Sequence, residues 1–228
     1  MKFDYLIDKI NDSDFKVEPF KHIYIENFFK EQDFNSIIGA SEISLGQCHT
    51  DKDLFIKIFD NNYKVIKFPG CTTDYKKYIK MHSKNEPLNS HTACESSGIA
   101  VRLYPKNELL VELTKFFLSK SFNKAIADKF NIEYVNCNID GGIQKYLDGY
   151  EISPHPDIRK KAATFMVNIN PGKNSERLNY HTHYLKLNSE YSYVKDFWKA
   201  NPKVDRQWVP WNWCSTKFLQ TKNNSIVL

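Results

Sequence analysis

The residue pattern in this chain that is best suited to chemistry is a histidine two positions before an aspartate. The pattern occurs twice, at 49–51 as His-Thr-Asp and at 155–157 as His-Pro-Asp. In an extended chain, residues i and i+2 project from the same face, so an imidazole nitrogen and a carboxylate oxygen can reach one ion. A second histidine from elsewhere would complete the two-histidine, one-carboxylate ligand set of non-haem Fe(II) oxygenases.

The surroundings of the two triplets differ. The first triplet precedes a charged segment with helical spacing, where Thr50 or Asp51 is typical of a helix N-cap. The second follows a glycine turn and an extended segment, and it precedes another long extended segment. We therefore take His155 and Asp157 as the candidate metal ligands.

The secondary structure that would position this pair is predicted to be mainly helical in the first part of the chain and extended in the later part. Residues 20–29 predict a strand and 30–40 a helix, and apolar spacing predicts one or two core-facing helices within 107–130. Short helices are expected near 53–59 and 74–82. Four later segments predict strands: 134–139, 142–147, 163–169 and 217–228. This order predicts an α+β or mostly β fold with helices packed on one face.

Composition limits the class of protein. The chain has 228 residues, 41% hydrophobic and 26% charged, as expected for one soluble globular domain spanning 1–228. Its longest stretch without a charged residue has 11 residues, whereas a membrane-spanning helix needs about 18 apolar ones. Asp4 and Asp8 interrupt the apolar run that a signal peptide would need. Five cysteines without a CxxC pair favour a reducing compartment, so a cytoplasmic location is expected.

One longer block places the second triplet in a characteristic order. Within 144–171, Tyr146 precedes a glycine turn, the triplet follows, and the next extended segment ends in an Asn-Pro turn. This block resembles the first metal-binding segment of the 2-oxoglutarate/Fe(II)-dependent dioxygenases, most closely the prolyl-hydroxylase-like branch with its small bacterial and phage members. The likeness extends from about Phe20 to the end of the chain.

The resemblance implies a double-stranded β-helix (jelly-roll) core with N-terminal flanking helices. It also implies Fe(II) bound by His155 and Asp157, with 2-oxoglutarate as cosubstrate and O2 as oxidant. A substrate would be hydroxylated while succinate and CO2 are released. Tyr146, Thr164 and Asn168 would then line the cosubstrate pocket.

The family also uses a distal histidine on a late strand, followed by an Arg or Lys that pairs with the far carboxylate of 2-oxoglutarate. Residues 221–228 resemble the strand and turn that come just before that histidine. We therefore expect the last strands of the fold to lie beyond residue 228; a non-catalytic relative and a site completed by another chain are the alternatives. His181 and His183, in HxH spacing, are other candidates for the third ligand.

Residues 191–213 combine seven aromatic residues with lysines and an arginine. We interpret them either as a lid or groove beside the iron, in which Arg206, Trp208 and Trp211 contact substrate, or as an insertion that packs its aromatics on the barrel. The expected partner is a peptide, with prolyl or other side chains favoured, or a small molecule. Stacking on nucleobases is a less favoured alternative, because the net charge of +5 includes no run of five like charges.

Two other classes of function remain compatible with these residues. One is a non-catalytic jelly-roll module that binds a ligand in the aromatic groove. The other is a metal hydrolase that uses His155, Asp157 and either His181 or His183. The sequence does not indicate an oligomeric state.

Overall fold

The computed structural model describes residues 1–68, 71–82, 98–178 and 180–228. Helices dominate the first 130 residues of the described chain. The α-helices are α1 (Tyr5–Asp12), α2 (Glu31–Gly39), α3 (Asp51–Asp60), α4 (Tyr75–His82), α5 (Glu108–Phe117), α6 (Lys120–Phe130) and α7 (Tyr193–Ala200). None of the helices in these ranges is long and apolar enough to cross a lipid bilayer.

The described strands form three small antiparallel sheets. The strands are β1 (Tyr24–Glu26), β2 (Tyr63–Val65), β3 (Ala100–Leu103), β4 (Gln144–Tyr146), β5 (Met166–Asn168), β6 (His183–Leu187), β7 (Cys214–Leu219) and β8 (Ser225–Val227). The first sheet has the order β1-β8-β5, the second β2-β3-β4, and the third pairs β6 with β7. The candidate metal ligands therefore lie in the connection from β4 of the second sheet to β5 of the first.

Side-chain caps define where several helices begin. Thr50 accepts a hydrogen bond from the backbone N–H of Asp53 (3.1 Å) at the start of α3, and Ser119 does the same for Phe122 (3.2 Å) at the start of α6. Each cap satisfies a backbone donor that has no partner inside the helix. The prediction of an N-cap at Thr50 or Asp51 is thus confirmed for Thr50, and the first His-x-Asp triplet has a local structural role.

The core is built from phenylalanines contributed by distant parts of the chain. Phe3 contacts Phe29 and Phe116, with ring centroids 6.1 and 5.9 Å apart, and Phe122 contacts Phe165 in an edge-to-face arrangement at 5.5 Å. Such pairs contribute about 0.5–1.5 kcal/mol beyond the burial of their area. Phe165 directly precedes β5, so this core fixes the end of the connection that carries the candidate ligands.

The observed architecture is mixed α and β, with most helices before most strands, as the sequence predicts. The described residues form small antiparallel sheets and no barrel. The predicted helices at 30–40, 53–59, 74–82 and 107–130 are present as α2, α3, α4 and the pair α5 and α6, and the strand predicted at 20–29 is reduced to β1.

Two predicted strands require correction. Residues 134–139 form a single 3-10 turn at Tyr134–Asn136 rather than a strand, and Val135 is 81% exposed there. The segment 217–228 is not one strand, because β7 and β8 are separated by a turn in which Asn224 has a positive φ of 52°.

Candidate functional site

His155 is held in one tautomer by its own backbone. Its Nδ1 lies 2.7 Å from the carbonyl oxygen of Ser153, which can only accept a hydrogen bond, so Nδ1 carries the proton. In the neutral ring the lone pair is then on Nε2, the form in which a histidine binds a metal. Ser153 and Pro154 are buried while His155 is exposed, so a buried turn presents this ring at the surface.

The same backbone contact occurs at His22, whose Nδ1 lies 2.7 Å from the carbonyl oxygen of Phe20. His22 is only 1% exposed and stacks on Tyr184, with ring centroids 6.4 Å apart. The contact alone therefore does not distinguish a ligand from a core histidine. What distinguishes His155 is its exposure and the carboxylate beside it.

Asp157 accepts hydrogen bonds at both carboxylate oxygens. Oδ1 lies 2.7 Å from Nζ of Lys161, and Oδ2 lies 2.6 Å from the Thr164 hydroxyl. Burial by itself would raise the pKa of Asp157, but the hydrogen bonds from Lys161 and Thr164 and the charges of Lys161 and His155 lower it below its usual value. The carboxylate is thus ionised at neutral pH, and His155 lies within electrostatic range of it.

This donor set fits a divalent transition metal in part. A neutral imidazole Nε2 and an ionised carboxylate are two of the three protein ligands in a two-histidine, one-carboxylate site. Within the described ranges, no group of three His, Cys, Asp or Glu side chains lies close enough together to hold a metal ion. His155 and Asp157 are consequently two candidate ligands without an assigned third.

The three predicted cosubstrate residues lie in different environments. Thr164 contacts Asp157 directly, and it precedes β5 rather than lying within it. Tyr146, at the end of β4, is 42% exposed; its hydroxyl donates to Gln144 (2.7 Å). Asn168 donates to the carbonyl oxygens of the turn after β7, 3.3–3.4 Å away, which ties β5 to that turn. Only Thr164 therefore touches the candidate ligand pair.

The aromatic segment lies against the candidate ligands. The backbone N–H of Val209 donates to the carbonyl oxygen of Pro154 (3.0 Å), and the Trp208 ring lies 6.5 Å from the His155 ring between centroids. The indole N–H of Trp208 is buried and has no hydrogen-bond partner in the described chain. Arg206 is exposed two residues earlier. Residues more than 50 positions apart thus form one wall of the site.

Trp211 extends this wall. Its indole N–H donates to Glu151 (2.6 Å), and its ring meets the His183 ring edge-to-face at 5.3 Å. Glu151 lies in the same β4–β5 connection as His155, so Trp211 is bound to the candidate segment by its own side chain, whereas Trp208 is held there through the backbone of its neighbour Val209. Of the predicted substrate residues, Trp208 lies against the His155 ring, while Trp211 contacts Glu151 and the His183 ring.

The two later histidines lie on and just before β6. His183 Nδ1 is 3.0 Å from the Thr216 hydroxyl, and burial together with the charge of His181 lowers the pKa of His183. Both ring nitrogens of His181 are buried and lack a hydrogen-bond partner among the described residues. Among the described residues, neither His181 nor His183 lies close enough to His155 and Asp157 to form a metal-binding group with them.

Comparisons of the chain with protein-family models, curated proteins and solved structures found no match. What the chain does is therefore inferred from the residues of this site.

Arg159 and Lys161, which follow the second triplet closely in sequence, were not predicted as site residues. Arg159 donates from Nε to the carbonyl oxygen of Val204 (3.1 Å), and its guanidinium lies 3.9 Å from the centre of the Trp198 ring. It thereby connects the candidate segment to α7. Lys161 binds Asp157, as described above. The sequence signal available for both was the run of cations at 159–161, which is separated from the triplet by one residue.

Proposed function

We propose that this chain is an Fe(II)- and 2-oxoglutarate-dependent dioxygenase that hydroxylates a peptide side chain, with a prolyl residue favoured. The observation that carries the proposal is His155, whose Nδ1–H is bound to the backbone so that Nε2 is left for a metal, two residues from the ionised carboxylate of Asp157. A double-stranded β-helix core, of which the three sheets would be parts, belongs to the same proposal.

Fe(II) at His155 and Asp157 would supply, with 2-oxoglutarate and O2, the oxidising chemistry that the side chains of proteins lack. The surrounding residues of this chain hold the two ligands in place. The Ser153 carbonyl fixes the His155 ring, and the Thr164 hydroxyl orients Asp157 by binding the oxygen that Lys161 does not. Such supporting contacts commonly change metal affinity about 10–100-fold when they are removed.

Two features favour a peptide as substrate. His155 and Asp157 are exposed, so a large molecule can approach them. Trp208 lies beside His155, and Trp211 contacts Glu151 in the same β4–β5 connection; aromatic side chains of this kind bind extended, proline-containing peptides.

A cytoplasmic location belongs to the same proposal. Among the described residues, the thiols of Cys48, Cys137 and Cys214 form no disulfide, which is compatible with a reducing compartment.

The test is a matched pair of variants in the two His-x-Asp triplets. The purified protein is incubated with Fe(II), 2-oxoglutarate and air, and succinate is measured with and without a library of proline-containing peptides. His155→Ala should abolish succinate formation. His49→Ala removes an exposed histidine from the same tripeptide pattern at a helix cap, so it should retain full activity.

Equal activity of the two variants would refute the assignment of His155. Peptide binding that needs Trp208 and persists in the presence of a chelator, without succinate formation, would instead identify a binding module. Bound Zn(II) with hydrolytic activity that does not depend on 2-oxoglutarate would identify a metal hydrolase.

A further inference from the structure

One face of the second sheet carries two neighbouring cations. Val101 and Leu103 are buried in the core, so Arg102 between them lies on the opposite face of β3. Its cross-strand neighbours on that face are Lys64 of β2 and Gln144 of β4. Like charges directly opposite each other in an antiparallel pair are destabilising. The pairing of Lys64 with Arg102 is therefore unfavourable unless an anion lies near both.

The Arg102 guanidinium has a donor without a partner. Its Nη1 lies 2.8 Å from Oδ1 of Asp140, but its Nε is buried and has no hydrogen-bond partner among the described residues. A buried donor left unpaired is costly, and more so when it is charged. Asp140 is 83% exposed, so water screens its ion pair and the pair contributes little. Gly142 packs directly on the Arg102 side chain, since a Cβ there would lie 3.1–3.4 Å from it, and this contact holds the guanidinium in place.

An aromatic surface lies beside this guanidinium. Tyr146 follows Gln144 on the same face of β4, which makes it a diagonal neighbour of Arg102 at about 7–8 Å. Burial raises the pKa of Tyr146 and the charge of Arg102 lowers it, as expected for two neighbouring side chains. The Tyr146 ring stacks on Tyr150, with centroids 4.5 Å apart and an interplanar angle of 29°. Because 42% of Tyr146 is still exposed, the stack leaves aromatic surface open next to the arginine.

We propose that this face binds a nucleoside monophosphate, with the phosphate at Arg102 and Lys64 and the base stacked on Tyr146. A guanidinium donates parallel hydrogen bonds to a phosphate, and the lysine adds a point charge. Every base has a π-face, so an exposed tyrosine ring can stack on it. A base and its phosphate are joined by one ribose, which matches the short separation of the arginine and the tyrosine on the sheet. The assignment uses neither His155 nor Asp157, so it is independent of the proposed function.

The experiment measures binding by calorimetry with three probes: AMP, adenosine, which lacks the phosphate, and ribose 5-phosphate, which lacks the base. AMP should bind more tightly than either part. Arg102→Gln should weaken AMP binding about tenfold or more, as expected for the loss of a charged hydrogen bond, and leave adenosine binding unchanged. Tyr146→Leu should weaken AMP and adenosine alike by about fivefold or more, as expected for the loss of one stacking contact. Asp140→Asn should strengthen AMP binding about two- to fivefold, because it removes the carboxylate that competes for the guanidinium.

Arg177→Gln is the matched control, because it removes an exposed arginine from another element and should change AMP affinity by less than about twofold. A short oligodeoxyadenosine titrated in parallel identifies the source of the nucleotide: tighter binding than AMP indicates a nucleic acid strand, and weaker binding a free nucleotide. Succinate that binds as tightly as AMP and with the same dependence on Arg102 would refute the nucleotide in favour of a carboxylate. Equal effects of the two arginine variants, or a folded wild-type protein that does not bind AMP, would refute the site itself while leaving the proposed function intact.

Discussion

Replacing Asn224 with alanine should destabilise the fold strongly. Asn224 lies in the turn before β8, is 8% exposed, and has a positive φ of 52°. Its side-chain oxygen accepts a hydrogen bond from the backbone N–H of Phe29 (2.7 Å), and its amide donates to the carbonyl oxygen of the same residue (2.9 Å). Phe29 is 1% exposed, so water does not replace these partners.

The magnitude follows from two losses. Each buried backbone group left without its partner costs about 1–3 kcal/mol. Alanine in the left-handed region adds roughly 1–2 kcal/mol, because its Cβ clashes where asparagine is better tolerated. We expect Asn224→Ala to lower the free energy of unfolding by about 3–8 kcal/mol, a large part of the total stability of a typical domain.

Two further variants separate the contributions. Asn27 also has a positive φ, 51°, but it is exposed, so Asn27→Ala should show only the conformational part, about 1–2 kcal/mol. Asn224→Gly removes the steric part and should be about 0.5–1 kcal/mol more stable than Asn224→Ala. Urea unfolding followed by tryptophan fluorescence measures all three. A loss below about 1 kcal/mol for Asn224→Ala would show that the paired hydrogen bonds are not formed in solution.

Two other predictions concern the site wall and a half-buried lysine. Trp211→Phe keeps an aromatic ring at this position but loses the indole N–H that donates to Glu151 (2.6 Å). In steady-state kinetics, KM for a peptide substrate should therefore rise a few-fold with kcat unchanged. An equal fall in kcat would contradict a substrate-binding role. Burial lowers the pKa of Lys145 to about 8, so the unfolded chain binds more protons than the native one between that pKa and the unfolded value of about 10.4. Stability should therefore rise more steeply with pH across this window in the wild type than in Lys145→Met, and parallel pH profiles of the two proteins would contradict this prediction.

Local chemistry explains which elements could be predicted from the sequence. The caps at Thr50 and Ser119 and the apolar spacing of α5 and α6 depend on residues within one or two turns. The segment 134–139 contains β-forming residues, yet it is a turn with an exposed Val135, because strand formation also requires a partner. The strands β2 and β3 were not predicted, because they have only three and four residues, too few for a period-2 pattern to identify a strand.

The candidate site was predictable only where it is local in sequence. His155 and Asp157 are two positions apart, so spacing alone could identify them as a pair. The position of Trp208 against His155 depends on a hydrogen bond from Val209 to Pro154, which joins segments more than 50 residues apart. The contact between Lys161 and Asp157 was not evident either, because a lysine four residues from an aspartate pairs with it only in certain loop conformations.

The strand order of the first sheet has a consequence for how the protein folds during its synthesis on the ribosome. Its central strand, β8, pairs with β1 through partners such as Tyr24 and Val227, which are about 200 residues apart, and with β5 on its other side. Because β1 and β5 pair only through β8 and not with each other, this sheet cannot assemble until synthesis has passed residue 227. The helical layer can form earlier from local contacts, but the edges of β1 and β5 stay open during translation. Chains stalled or cut before β8 should therefore bind chaperones and aggregate far more readily than the finished protein.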